Sequence, residues 1–362
     1  MIQGRIIIYR VFDIGDDVAL EKIQKSFQFE NAPQRFRLST SSRAMIINNA
    51  PLALQIEEST LELLGESLRM EVSAKVWHFG ALSISLHLHI PENYRWDQLV
   101  DASVFLETDL RLHQRAESYC KQIIQKFDAS RIQKMNWETY EDYMLFFFKH
   151  LPGAEENAAH VFNKYDVPAL ILSQKNGNLS DQVKKNIFES STQFAQNDLA
   201  VLNWDSAMVI EPSGSFDIPD VIEFALCQQL EMRYYDDLLD DKLASLYTAL
   251  ENKQWSLWEN TAEKLSKEAS QRYLEVSETI ENVENSLKVV GDFYYAQIFR
   301  TALHRFRFND WKASVDNKLE NLATISNLLT RKINERRSHL LEIVIIVLIA
   351  IEVVPFLYGL IK

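Results

Sequence analysis

Two histidines, His87 and His89, recur at strand spacing in the segment SISLHLHI. Apolar residues alternate with them, so a strand would place both imidazoles on the same face as Ser83 and Ser85. Histidines that share a strand face can ligate a transition metal. The alternative is that both rings are simply solvated on a wet polar face, and this alternative is the one we expect.

Paired carboxylates occur in the segment YYDDLLDDK. Helical spacing places Asp236 one turn before Asp240 and Asp237 one turn before Asp241. Such pairs can hold a divalent cation through their oxygens. A solvated acidic helix face is the expected alternative, so we assign no metal ligand here.

Basic side chains cluster near the start of the last third of the chain. Arg300, His304 and Arg307 recur at three- and four-residue steps, with Arg305 beside them. They are a candidate site for an anion or an RNA phosphate. They are also candidates for ion pairs with acidic helices of residues 220–290, within the chain or between chains, and we favour such pairs.

The sequence lacks the familiar motifs of catalysis and cofactor binding. It contains no Walker loop and no GxGxxG, GxSxG, HExxH or CxxC pattern. Cys120 and Cys227 fit no metal or redox spacing and are expected to be reduced and buried. We therefore predict no catalytic residue, no cofactor and no metal.

Charge argues against broad electrostatic binding of nucleic acid. The net charge is −13, whereas DNA and RNA require a basic surface. Residues 211–290 carry 17 acidic and 7 basic side chains, a net charge of −10. Direct DNA binding is therefore not expected.

Residues 1–210 combine strand and helix patterns. Alternating or continuous apolar runs predict strands, and apolar residues at helical spacing predict helices between them. This mixture predicts an α+β domain with a partly antiparallel sheet, which the charge pattern of the tail described below places in the cytoplasm. The segments with strand patterns are GRIIIYRVFDIG, LRMEVSAKVWHFGALSISLHLHI, YMLFFFKHLPG, DVPALILSQ and NDLAVLNWDSAMVIEP. The segment WDQLVDASVFLETDLRLHQRAESYCKQIIQKF predicts one helix or two.

A linker and an all-α region are predicted to follow. Residues 211–219 are rich in Pro, Gly and Ser, which is typical of a linker. Residues 220–338 predict a coiled-coil-like helical stalk. One apolar seam is Ala262, Leu265, Ala269, Tyr273, Val276, Ile280, Val283, Leu287 and Val290, and a second is Val315, Leu319, Leu322, Ile325, Leu329, Ile333 and Leu340.

Residues 340–361 have the length and composition of a transmembrane tail anchor. Sixteen of these 22 residues are Leu, Ile, Val or Phe, and about 20 apolar residues cross a bilayer core. The basic residues Arg331, Lys332, Arg336 and Arg337 precede the run and only Lys362 follows it. The positive-inside rule then predicts a single-pass protein of the inner (cytoplasmic) membrane with its bulk in the cytoplasm.

Two glutamates interrupt this apolar tail. Glu342 lies near its edge, whereas Glu352 lies near the middle, where a carboxylate is costly. A protonated carboxyl can hydrogen-bond across a helix–helix contact. We interpret Glu352 as a contact for self-association or for another membrane protein, and the alternative is that the bilayer tolerates it.

The C-terminal third contains the segment VVGDFYYAQIFRTALHRFRFNDWKASVDNKLENL and, in the tail, the pattern Leu341, Glu342, Ile346, Leu348 and Glu352. By these features it resembles the YagE / required-for-meiotic-nuclear-division family, as a bacterial member. Trp77, Phe79 and Gly80 resemble that family's aromatic-glycine strand. The resemblance implies a domain of unknown function with a C-terminal membrane helix and a link to translation.

Two classes of function follow from these patterns. The first is a membrane-tethered scaffold or adaptor without enzymatic activity, in contact with the bilayer and with a ribosome or another membrane protein. It would form a homo-oligomer through its helical stalk. The alternative is a membrane-bound enzyme whose site lies in the α+β domain, where we expect a cleft with perturbed titratable groups. A scaffold should present an exposed apolar or charged patch instead.

Overall fold

The architecture is described from a computed structural model. The structure describes residues 1–15, 18, 20–21, 34–35, 50–126, 139–175, 179–251, 264, 267–271, 273–274, 276–278, 281 and 293–360.

The strands form one mixed sheet with the order β2-β3-β4-β5-β1-β6-β9-β8-β7. Neighbouring strands are antiparallel except β6 and β9, which are parallel. The strands are β1 (Gln3–Asp13), β2 (Gln34–Arg35), β3 (Leu52–Leu63), β4 (Glu66–Val76), β5 (Ala81–His89), β6 (Tyr140–His150), β7 (Ser191–Thr192), β8 (Leu199–Leu202) and β9 (Ser206–Ile210).

Helices connect the strands and form the C-terminal part of the chain. They are α1 (Trp96–Thr108), α2 (Leu110–Gln125), α3 (Val161–Lys164), α4 (Val167–Ile171), α5 (Asp181–Glu189), α6 (Asp217–Glu251), α7 (Phe293–Arg305) and α8 (Phe308–Leu360). A 3-10 turn, Ala158–His160, precedes α3.

Tight turns set the register of the β3-β4-β5 meander. Leu64 and Gly65 join β3 to β4 with φ angles of 52° and 84°. Gly80, with φ of 104°, ends the turn from β4 to β5. Because the left-handed region suits glycine, Gly65 and Gly80 allow these reversals with little strain. The segment around Trp77 and Phe79, predicted as strand, is therefore the turn of a hairpin.

One face of the sheet carries the main apolar core. In β1 its members are Ile6, Ile8 and Phe12, and in β5 they are Leu82, Ile84, Leu86 and Leu88. Helices α1, α2 and α4 add their buried side chains to the same cluster. The period of two along each strand thus puts the strongest hydrophobic stripe against the helices.

Helix-capping residues explain where the structure differs from two local predictions. The segment DVPALILSQ was predicted as a strand, which is wrong, because it forms α4. Asp166 caps this helix by accepting a hydrogen bond from Ala169 N at 3.2 Å, and Pro168 stands in its first turn. The helix pattern after Trp96 divides in two because Asp109 ends α1 and caps α2.

The chain divides into two compact units that differ from the predicted domain boundaries. One unit comprises Met1–Tyr234 with Val283–Asp310, and the other comprises Tyr235–Asn282 with Trp311–Lys362. The predicted linker, residues 211–219, connects β9 to α6 and contributes the first residues of that helix.

The described members of the two predicted apolar seams lie in the second unit, and part of the first seam lies outside the described residues. Val315, Leu319, Leu322 and Ile325 are buried at 0–5% exposure, which confirms that stretch of the seam. In the first seam Ala269 and Val276 are buried, whereas Tyr273 is 40% exposed. Its other members, and Leu329 and Ile333 of the second seam, lie outside the side chains that the structure describes.

The predicted transmembrane tail anchor is wrong. Within the described residues, no helix is long and apolar enough to cross a membrane. The apolar side chains described at the end of α8 run from Leu340 to Val353. The fold class with a C-terminal membrane helix and the inner-membrane localisation are corrected with it.

Gly4 offers a test of the packing between β1 and β6. The strand register shifts between Gln3 and Gly4, and a Cβ at Gly4 would collide with the carbonyl oxygen of Phe147. We expect Gly4→Ala to lower the free energy of unfolding by about 1–3 kcal/mol, because the backbone must move. Urea unfolding followed by circular dichroism measures the change.

Gly65→Ala is the matched control for this substitution. A Cβ at Gly65 meets no atom within 4 Å, so only the positive φ opposes it, at a cost of about 1 kcal/mol. If the free energy of unfolding fell by the same amount in both variants, the predicted collision at Gly4 would be contradicted.

Candidate functional site

A buried polar face lies opposite the main apolar core of the sheet. Strand registers align Lys75 with Ser83, Ser73 with Ser85 and Glu71 with His87, and they continue this face onto β1. The first half of α6 packs on it. Tyr9 of β1 donates a hydrogen bond to the carbonyl oxygen of Pro219 at 3.4 Å, and Phe147 of β6 stacks on Phe216 at 4.7 Å.

The prediction that this face is wet is therefore wrong, because a helix covers it. Ser83 and Ser85 are buried at 0% and 3% exposure, and His87 is largely enclosed. Alternation of polar and apolar residues shows that a strand has two different faces. It does not show which element lies over the more polar one.

Lys75 forms the centre of this face. Its Nζ lies 2.5 Å from Asp220 Oδ1 and 2.6 Å from Glu223 Oε2, both on the first turns of α6. The three side chains are 12%, 14% and 1% exposed, in the same order. Burial opposes the ammonium charge, but the two carboxylates outweigh it and raise the pKa of Lys75. For Asp220, burial raises the pKa to about 6 despite the neighbouring ammonium.

His89 belongs to a second ion-pair network at the edge of this face. Its Nε2 lies 2.8 Å from Glu71 Oε1, and Arg5 donates to Glu71 Oε2 at 2.8 Å. Arg69 approaches the same carboxylate at 3.3 Å. Burial raises the pKa of Glu71, but the bond from His89 and the charge of Arg5 prevail and lower it.

His87 has a different environment, although it lies on the same strand face. Its ring meets the Phe216 ring edge-on at 5.9 Å, and its Nδ1 has no hydrogen-bond partner among the described residues. Burial, followed by the positive charges of Arg5 and Lys75, lowers the pKa of His87 to about 3. The two histidines therefore do not converge on a metal. Within the described residues, no group of His, Cys, Asp and Glu could hold one.

The polar face continues onto β6. Arg233 of α6 donates to Glu141 Oε1 at 2.5 Å, and Glu141 is almost fully buried. Burial raises the pKa of Glu141 to about 7 even with the guanidinium beside it. The Tyr143 hydroxyl donates to the carbonyl oxygen of Ser206 at 2.7 Å. Lys75 and Glu141 of this face thus pair with opposite charges on α6.

One pair of aspartates on α6, Asp236 and Asp240, forms salt bridges with a lysine. In the second unit, Lys318 Nζ lies 2.8 Å from Asp236 Oδ1 and 2.7 Å from Asp240 Oδ2. Ser314 adds a hydrogen bond to Asp236 at 2.6 Å. These contacts join α6 to α8 and supply the counter-charge that a divalent cation would otherwise provide.

The predicted basic cluster lies on α7 and just beyond it. Arg300 and His304 are exposed, and Arg305 is half-buried. Arg307 Nε donates to Asp310 Oδ2 at 2.8 Å, a partner outside the acidic stretch of residues 220–290. Binding of an anion by these four residues stays a prediction.

The predicted contact residues of the tail lie on the last part of α8. Leu341, Ile346 and Leu348 are 60–63% exposed. Glu342 accepts a contact from His339 Nδ1 at 3.3 Å on the same exposed surface. The Glu352 side chain lies outside the described residues, so its proposed role in helix contacts stays a prediction.

The Lys75–Asp220–Glu223 cluster is not predicted from the sequence. Two signals were available: Glu71, Ser73 and Lys75 alternate along a strand, and Asp220 and Glu223 share one face of a helix start. The pairing itself joins residues 145 and 148 positions apart, which no local pattern specifies.

Comparisons with known proteins replace the family suggested by the sequence. A family model described as "Uncharacterized protein MJ0711, N-terminal domain" matches residues 3–217. The uncharacterized protein MJ0711 of Methanocaldococcus jannaschii is 24% identical over 228 residues, covering 62% of this chain and 69% of that protein. No solved structure matches.

The resemblance to the YagE / required-for-meiotic-nuclear-division family is therefore wrong, as is the bacterial membership drawn from it. The matched residues lie in the sheet-containing part of the chain. The resemblance rested mainly on an apolar tail and a helical segment, and such patterns recur in unrelated helices.

The buried state of His87 predicts an acid-dependent stability. The pKa of His87 in the native chain is about 3, below the ordinary value near 6.5. Between these pH values the imidazole is protonated in the unfolded chain but neutral in the native chain. Stability is lost as the pH falls below about 6.5. As the pH falls from 6.5 to 5, we expect the free energy of unfolding of His87→Gln to rise by about 1–2 kcal/mol relative to that of the wild type.

Urea unfolding at several pH values measures this difference. His160→Gln, at an exposed histidine, is the matched control and should follow the wild type. A constant offset between His87→Gln and the wild type over this range would show that the imidazole is not kept neutral by burial.

Proposed function

This chain belongs to the family defined by the N-terminal domain of uncharacterized protein MJ0711, and we propose that it is a non-enzymatic scaffold or adaptor. It assembles with further copies of itself through the C-terminal end of α8. The observation that carries this proposal is the long exposed apolar run on that helix.

The apolar run is large for a surface helix. From Leu340 to Val353, eleven large aliphatic side chains are each 43–64% exposed. Monomeric soluble proteins rarely expose contiguous apolar patches beyond a few hundred Å². Covering these side chains would release the water that they order, so the run supplies a driving force for association.

The exposed apolar side chains lie on all sides of α8, and this distribution favours burial among several copies of the same helix. Successive residues of a helix point about 100° apart, so the consecutive residues 343–349 surround the helix completely. One neighbouring surface covers one side only. Copies of the same segment offer helices of equal length and composition, and a bundle of them encloses every side.

The upstream seam supports the same arrangement. Val315, Leu319, Leu322 and Ile325 of α8 are already buried inside the second unit. The apolar pattern continues along the same helix beyond the stretch that the described residues of the second unit cover. The extension is therefore suited to intermolecular packing of the kind that the seam makes internally.

The enzymatic alternative receives less support. It requires titratable groups that converge in an accessible cleft, and the strongest cluster lies between the sheet and α6. Glu223 in that cluster is 1% exposed, so its contacts are directed within the protein. A link to translation or the ribosome rested on the family resemblance, and it is not part of the proposal.

Solution mass tests the proposed assembly. We expect the full chain at micromolar concentration to have a multiple of its 42.1 kDa mass by light scattering after size-exclusion chromatography. Leu341→Ser, Ile345→Ser and Leu348→Ser together place three hydroxyls on one stripe of the run. This triple variant should be monomeric, because burying unpaired hydroxyls costs free energy.

Asn321→Ser with Asn327→Ser is the matched control, since both positions are exposed on α8 outside the run. The control should assemble as the wild type does, and near-ultraviolet circular dichroism should be alike for all three proteins. A monomeric wild type, or a triple variant that still assembles, would contradict the proposal. So would a monomeric chain that floats with lipid vesicles.

A further inference from the structure

The cluster of Lys75, Asp220 and Glu223 has the composition and arrangement of a covalent crosslinking site. We propose that Lys75 and Asp220 condense to an intramolecular amide bond, with Glu223 as the group that moves the protons. This inference concerns the first unit and is independent of the proposed function.

The two groups that would react, the Lys75 amine and the Asp220 carboxyl, are already in contact. Lys75 Nζ is 2.5 Å from Asp220 Oδ1. Because Oδ1 is bonded directly to the carboxyl carbon, the nitrogen is also close to that carbon. Near-attack geometries place reacting atoms about 3–3.5 Å apart, and holding them there removes much of the entropic barrier. Sheet and helix both fix this geometry, since Lys75 lies inside β4 and Asp220 in the first turn of α6.

Glu223 is placed to take a proton from the amine. Its Oε2 is 2.6 Å from Lys75 Nζ, and it stands one helical turn after Asp220. Its other oxygen, Oε1, is buried and has no hydrogen-bond partner among the described residues. This oxygen is therefore an acceptor site that a proton from the amine can occupy.

The surroundings favour the neutral form of Asp220 and the charged form of Lys75. Trp77 and Phe224 pack at 4.9 Å beside the cluster, and Tyr9 lies under Pro219. Burial raises the pKa of Asp220 to about 6, so its carboxyl is protonated in mild acid. The ion pairs keep Lys75 charged until Glu223 accepts its proton, which makes the glutamate essential to the step.

The step balances without an oxidant or another reactant. A proton passes from the Lys75 ammonium to Glu223, and the free Nζ attacks Cγ of the protonated Asp220 carboxyl. The C–N bond forms and the C–OH bond breaks, with loss of water. Of the hydrogens on the ammonium and the carboxyl, one stays on the amide nitrogen, two leave in water and one ends on Glu223.

The product would tie α6 to the sheet across a large loop. Lys75 and Asp220 are 145 residues apart in sequence, and a crosslink of that span restricts the unfolded chain strongly. The bond would also replace the ammonium and one carboxylate by a neutral amide, which removes part of the cost of buried charge.

Intact mass spectrometry tests the proposal on the full chain. After incubation at pH 6 and unfolding in guanidinium, we expect a mass lower than that of the sequence by one water molecule. A tryptic digest should contain one branched peptide that joins the segment with Lys75 to the segment with Asp220. Glu223→Gln cannot take the ammonium proton, so it should keep the full sequence mass.

Lys318 provides the internal control in the same digest. It also contacts two carboxylates, at 2.8 and 2.7 Å, but Asp240 is 63% exposed and water competes for these groups. We expect its peptides to be unbranched. A wild type of full sequence mass would overturn the proposal whether or not the variant folds. A branch at Lys318 and not at Lys75, or a Glu223→Gln protein that still loses water, would overturn it as well.

Discussion

A lysine buried between a sheet and a helix must keep its counter-charges, and the first unit of this protein is arranged around that requirement. Lys75 lies on the polar side of β4, and α6 brings Asp220 and Glu223 to it. Removing one partner of such a buried set typically costs about 3–5 kcal/mol, because an uncompensated charge remains. The ion pairs therefore fix where the start of α6 sits on the sheet.

This constraint explains why the two faces of the sheet differ. Apolar side chains against α1, α2 and α4 stabilise one face by removing area from water. The other face combines ion pairs with aromatic contacts, such as Phe147 on Phe216 and Trp77 on Phe224. Directional contacts specify one position of a helix, whereas an apolar surface tolerates small shifts. The pairing of Arg233 with Glu141 extends the same specification further along α6.

The C-terminal helix raises a different physical problem. Its seam is buried up to Ile325, but the aliphatic side chains described from Leu340 to Val353 are exposed on all sides of the helix. Neither the helix itself nor the rest of the described second unit covers them. Assembly with further copies is a solution that uses the same packing as the seam, and it needs no chemistry from the buried cluster.

Sequence alone determined those features that depend on local periodicity. Strand composition and continuous apolar runs predicted the strands around Ile6 and Phe146, and alternation predicted the one around Ile84. Spacing of three and four predicted the buried stretch from Val315 to Ile325. Composition also identified the end of α8 as apolar, but the transmembrane anchor predicted from it was wrong. Only the tertiary structure decided that His87 is enclosed and that Lys75 meets Asp220 and Glu223. The reason is that a local pattern fixes which face a side chain occupies, whereas the partner on that face comes from a segment about 145 residues away.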